Sequence, residues 1–112
     1  KLNRFPEIIL KMKKITHLSV SNNHIMQLPD ELSTLTNLQH LYASSNEITL
    51  FPYHMTNQGN LIELDISNNK ITDSKKEVIL HERLKFVDVR NNPLSDTLKK
   101  NLMKYDSIIG IY

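Results

Sequence analysis

The 112-residue sequence predicts a solenoid, a stack of similar turns coiled into one domain. Three observations carry that reading. Segments beginning at Ile15, Leu38, Leu61 and Leu84 read ITHLSVSNNHI, LQHLYASSNEI, LIELDISNNKI and LKFVDVRNNPL. Their starts differ by 38−15, 61−38 and 84−61, which is 23 residues each time. All four carry apolar residues at offsets 0, 3, 5 and 10 and asparagine at offset 8. A fixed period of this size marks repeats that bury their apolar faces only against their neighbours.

Each part of the repeat has a physical reason. Offsets 3 and 5 fall on one side of an extended segment, with offset 4 pointing the other way. At offset 8 the chain turns, leaving backbone groups that cost about 1–3 kcal/mol each if buried unpaired. An amide side chain both donates and accepts, so Asn23, Asn46, Asn69 and Asn92 are expected to form a structural ladder between turns. In the second half of each repeat, Phe5-Pro6-x-x-Ile9-x-x-Met12, Leu28-Pro29-x-x-Leu32-x-x-Leu35 and Phe51-Pro52-x-x-Met55 share one template. Proline there fixes φ and suits an extended or helical-turn start.

The chain divides accordingly as a single domain over 1–112. Residues 1–14 are the tail of a truncated repeat, 15–37, 38–60 and 61–83 are full repeats, 84–94 is the last strand half, and 95–112 is a C-terminal cap. Ser74-x-x-Glu77 before Val78, Ile79 and Leu80 is a capping-box pattern and predicts a short helix over 75–82. His54 to Asn60 has little apolar content and is expected to be irregular. Ser95 is the expected N-cap of a helix over about Asp96–Tyr105, with Leu98, Leu102 and Tyr105 on one side. Together with Ile108, Ile109 and Ile111 this segment would cover the final turn. The competing expectation is a linker into further sequence.

The repeated LxxLxLxxNxL pattern resembles the leucine-rich repeat over nearly the whole chain. With its Leu-Pro halves it is similar to the 23-residue LxxLxLxxNxIxxLPxxLxxL class of cytoplasmic Ras-binding scaffolds and of many bacterial and protist proteins. Asn92-Pro93-Leu94 resembles the closing repeat of many intracellular members. The resemblance implies an α/β solenoid: a leucine-rich-repeat horseshoe with a short parallel concave sheet, an irregular or short-helical convex side and a C-terminal helical cap. Repeat three departs from the class, since Ser74 and Lys75 stand where it has Leu-Pro.

Composition narrows the function. Charged residues make up 23%, the formal net charge is +2, and there is no cysteine. Disulfides, thiol catalysis and cysteine metal sites are therefore absent, which fits a reducing compartment. Secreted eukaryotic members of the family usually carry cysteine-stapled caps, so the resemblance implies a cytoplasmic, intracellular location, with a secreted bacterial effector as the alternative. No apolar run is long enough to span a bilayer.

Side chains at offsets 2, 4, 6 and 7 are expected on the concave face. Offset 2 holds His17, His40, Glu63 and Phe86, and offset 4 holds Ser19, Tyr42, Asp65 and Asp88. Offset 6 holds Ser21, Ser44, Ser67 and Arg90, and offset 7 holds Asn22, Ser45, Asn68 and Asn91. The Ser and Asn columns read as solvated filler. Column neighbours touch, because strands lie about 4.8 Å apart. Asp65 beside Asp88, with Glu63 near, makes an acidic area that invites a basic partner. Tyr42 and Phe86 are exposed aromatics of the kind that anchor interfaces. The expected partner-binding set is His17, His40, Tyr42, Glu63, Asp65, Phe86, Asp88 and Arg90.

Catalytic readings find little support. His17 and His40 on adjacent strands, with Glu63, are short of the supporting shell a deliberate zinc site has, so no metal and no cofactor is expected. Two histidines flanked by Ser and Tyr also suggest pH-sensitive binding. An open sheet offers no pocket to separate the pKa values of Asp65 and Asp88, and no nucleophile elbow or phosphate-cradling glycine loop is present. Lysines fall in three groups, Lys11, Lys13 and Lys14, then Lys75 and Lys76, then Lys99, Lys100 and Lys104. They read as solvated and spread over separate edges, so neither nucleic acid nor membrane is expected.

The sequence thus predicts a non-enzymatic scaffold or adaptor that binds a protein through its concave face. By the resemblance, the partner is of the small-GTPase, kinase or phosphatase-subunit type. The alternative is a substrate-recognition or autoinhibitory segment of a larger enzyme or bacterial effector. An uncapped first turn would leave the chain a monomer, or a weak dimer through that turn.

Overall fold

A computed structural model describes residues 1–57 and 60–110, with Ile109 and Gly110 described in backbone only. Ile111, expected in the cap, lies outside the described residues. Among the described residues five strands, β1 (His17–Ser19), β2 (His40–Tyr42), β3 (Glu63–Asp65), β4 (Phe86–Asp88) and β5 (Ile109–Gly110), form one open parallel sheet in chain order. The register repeats the 23-residue period: His17 faces His40, His40 faces Glu63, and Glu63 faces Phe86. Val87 faces Ile109, a step of 109−87, or 22. The sheet therefore runs one strand past the last repeat motif, within the segment expected to form the cap.

The inward residues are those the repeat predicts. Leu41, Leu64 and Val87 from offset 3, Ala43, Ile66 and Val89 from offset 5, and Ile25, Ile48 and Ile71 from offset 10 are all fully buried. Leu38, Leu61 and Leu84 at offset 0 join them in one continuous core. In the first turn Ile15 and Leu18 are only partly buried against this core.

Asparagines at offset 8 close each turn. Asn46 donates from Nδ2 to its own Ala43 carbonyl (3.2 Å) and to Val20 of the preceding turn (3.0 Å), while Oδ1 accepts from Ile25 N–H (3.0 Å). Asn69 repeats this with Ile66, Ala43 and Ile48, and Asn92 with Val89, Ile66 and Ile71. Asn23 keeps only the local bonds to Val20 and Ser21, and its Oδ1 accepts from Leu2 N–H (2.7 Å). Leu2 thus sits where Ile25 sits one turn on.

On the convex side, Pro6 and Pro29 lead into 3-10 turns over Glu7–Lys11 and Asp30–Thr34, and Pro52 into α1 (Tyr53–Thr56). Helix α1 corrects the expectation of an irregular 54–60 over its first three residues, while Gln58 and Gly59 lie outside the described residues. Its fully buried Met55 and Thr56 anchor it, and Thr56 satisfies its hydroxyl on the Tyr53 carbonyl.

The short helix expected over 75–82 does not form. Val78 and Leu80 are buried and Ile79 is 52% exposed, the alternation of an extended chain. Asn101 of α2 (Asp96–Met103) explains it. Its amide accepts from Val78 N–H (2.7 Å) and donates to Val78 O (3.0 Å), occupying both groups a helix would need. Ser74 does not cap; its hydroxyl donates to the Lys76 carbonyl (2.7 Å). In α2 the Ser95 hydroxyl accepts from Leu98 N–H, and Leu98 and Leu102 reach the core. Among the described residues no helix is long and apolar enough to cross a membrane.

Candidate functional site on the concave sheet

Strand geometry sends offsets 2 and 4 of each turn out of the sheet on the face opposite the core. Because the register is 23, His17 and His40 are Cα partners, and their rings stack with centroids 4.3 Å apart. Tyr42 extends the row, 6.4 Å from His40. Glu63 sits beside both: its Oε1 accepts from the Tyr42 hydroxyl (2.7 Å) and lies 2.9 Å from His40 Nδ1. Phe86 follows Glu63 in the next strand and is 43% exposed.

These bonds set the electrostatics. The Tyr42 hydroxyl, then His40, holds the Glu63 carboxyl below the usual glutamate range. The same bond, with lesser help from desolvation and the charges of Glu63 and Asp65, holds the Tyr42 phenol above its ordinary value. Glu63 is the anion at this row and Tyr42 a neutral donor already engaged.

The unpaired acidic area expected around Asp65 and Asp88 is corrected by the structure. Asp65 folds back on its own turn, with Oδ1 accepting from the Ser67 hydroxyl (2.7 Å) and Ser67 N–H (3.0 Å). Asp88 is 4% exposed and pairs with Arg90, which reaches its two oxygens at 2.9 and 2.6 Å. Burial pushes the Asp88 carboxyl up, but the side-chain and backbone bonds and charge of Arg90 outweigh it and hold it low. Of the eight expected residues, His17, His40, Tyr42 and Glu63 meet as one group with Phe86 on the adjoining strand. Asp65, Asp88 and Arg90 are engaged with their own turns.

The offset-6 and offset-7 columns do more than fill space. Asn22, Ser45, Asn68 and Asn91 all have φ between 56° and 62°, the left-handed region where the chain leaves the sheet. Ser44 and Ser21 hydroxyls lie 3.1 Å apart, and Asn91 Nδ2 donates to Asn68 Oδ1 (2.9 Å). At offset 9, His24, Glu47 and Lys70 form an unforeseen polar ladder, with Glu47 2.9 Å from His24 and 3.4 Å from Lys70. Their bonds to Glu47, His24 foremost, lower its pKa. The signal was present as His, Glu and Lys at spacing 23. Among the described residues no group of three or more His, Asp or Glu side chains is arranged to hold a metal.

Comparison with known proteins follows this geometry. The family described as Leucine Rich Repeat matches residues 14–35 and 60–81. A solved leucine-rich repeat protein of Leptospira interrogans superposes with a TM-score of 0.71 at 26% identity over 100% of this chain. The chain spans 34% of that protein's length. A search of curated proteins finds no match. With two repeats matched and the turns stacked in parallel register, the chain is a leucine-rich repeat protein. Such domains generally mediate protein–protein interaction.

Proposed function

We propose that this chain is a scaffold or adaptor module that binds a protein partner through its concave sheet, without catalysis of its own. The observation that carries the reading is the row His17–His40–Tyr42, stacked across two strands and held by Glu63. Side chains locked this way lose little further entropy on binding, which favours affinity. Phe86 adds a second aromatic anchor and Glu63, Asp65 and Arg90 a polar rim. Asp88 acts through Arg90 by holding its guanidinium. Partners of the small-GTPase, kinase or phosphatase-subunit type are proposed by analogy of fold, and a cytosolic setting suits a chain without cysteine. Helix α2 is proposed to cover the last full turn.

Affinity capture from source lysate tests this, comparing the parent with Tyr42→Ala/Phe86→Ala, both verified as folded by circular dichroism. A partner held by the parent and lost by the variant supports the reading. Equal recovery by both places the interaction elsewhere and removes the concave assignment.

A further inference from the structure

Two lysine groups 25 residues apart in sequence, expected on separate edges, converge in space. The segment 73–77 lies against α2, and the groove between them, about 430 Å³, is lined by Lys75, Lys76, Lys100 and Lys104 with Leu98 and Asn101 in its wall. Asn101 fixes this juxtaposition through its two bonds to the Val78 backbone. Of the two acidic residues on the rim, Asp73 accepts from the Ser95 hydroxyl (2.7 Å) and Glu77 pairs with Lys104 at 3.5 Å. Lys75, Lys76 and Lys100 have no acidic partner among the described residues. The exposed N–H groups of Lys75, Lys76 and Glu77 likewise make no hydrogen bond among them.

We infer that this convex groove is a second binding site, for an acidic segment of a protein chain. Uncompensated ammonium groups beside free backbone donors fit carboxylates, which take charge-assisted bonds from both. An eight-residue helix is about 12 Å long. That length takes about four extended residues, the scale of a short acidic motif. Asp73 and Glu77 interrupt the positive rim, which disfavours the continuous charge of a nucleic-acid backbone or an anionic membrane. The site lies off the concave face and does not depend on the function proposed there.

Fluorescence polarisation of a fluorescein-labelled Glu-Asp-Glu-Asp-Glu-Asp peptide at low salt tests it on the full chain. Lys75→Glu/Lys100→Glu should weaken binding by about tenfold or more. Lys11→Glu/Lys14→Glu changes net charge equally on a distant turn and should stay within about twofold of the parent. Circular dichroism and thermal melts verify that both variants fold. Equal losses in the two variants would overturn the proposal in favour of diffuse attraction, as would equal binding of a Gln-Asn peptide. Phosphatidylserine vesicles or single-stranded RNA binding where the peptide does not would overturn it as well.

Discussion

Ser45 is the odd member of a column of asparagines. All four residues at offset 7 adopt positive φ, which costs most side chains energy but is tolerated by asparagine. Ser45→Asn is therefore expected to stabilise the protein by about 0.5 kcal/mol, read as a higher urea midpoint; a lower midpoint would contradict the turn assignment. The offset-8 asparagines predict a gradient. Asn69→Ala leaves Ile48 N–H unpaired in the core and takes one of two donors from the Ala43 carbonyl, which keeps its bond from Asn46, at about 2–3 kcal/mol, whereas Asn23→Ala loses mostly local bonds and should cost about 1 kcal/mol. Asp88 and Glu63 set the acid limb. Both have folded pKa values depressed below their unfolded ones, so their contribution is full above the ordinary carboxylate pKa of about 4 and is lost as pH falls below it. Asp88→Asn should flatten the fall in urea midpoint on acidification; an unchanged acid slope would mean the Arg90 pair contributes nothing.

At the scale of elements, legibility depended on whether a segment's partner was local. Pro6, Pro29 and Pro52 each lead into a helical turn, and that signal lies in the sequence beside the turn. The segment around Val78 looked helical from Ser74 and Glu77, yet Asn101, 23 residues away, holds it extended. Long-range pairing of this kind leaves no local trace, and it also hid the lysine groove. The same bond makes a prediction: Asn101→Ala should cost about 1–3 kcal/mol and speed hydrogen exchange at the Val78 amide. Unaltered exchange there would show that packing of Leu80 and Leu98, not the amide clamp, holds the segment. Helix α1 was missed because Met55 is its one large apolar anchor, too little to give a period.

For the whole molecule, the 23-residue period specifies the stack, the strand register and nearly every core position. It also placed His17, His40, Tyr42, Glu63 and Phe86 on one face, since column membership follows from arithmetic alone. What arithmetic does not supply is side-chain direction: Asp65 turns back to Ser67, and Asp88 is paired with Arg90. The central claim is that the concave row is the protein-binding surface. Its most direct measurement is amide chemical-shift mapping of the ¹⁵N-labelled chain titrated with its captured partner. The account predicts the largest shifts at His17, His40, Tyr42, Glu63 and Phe86, with the convex turns little changed. Shifts confined to the convex side, with β1 to β4 silent, would contradict it.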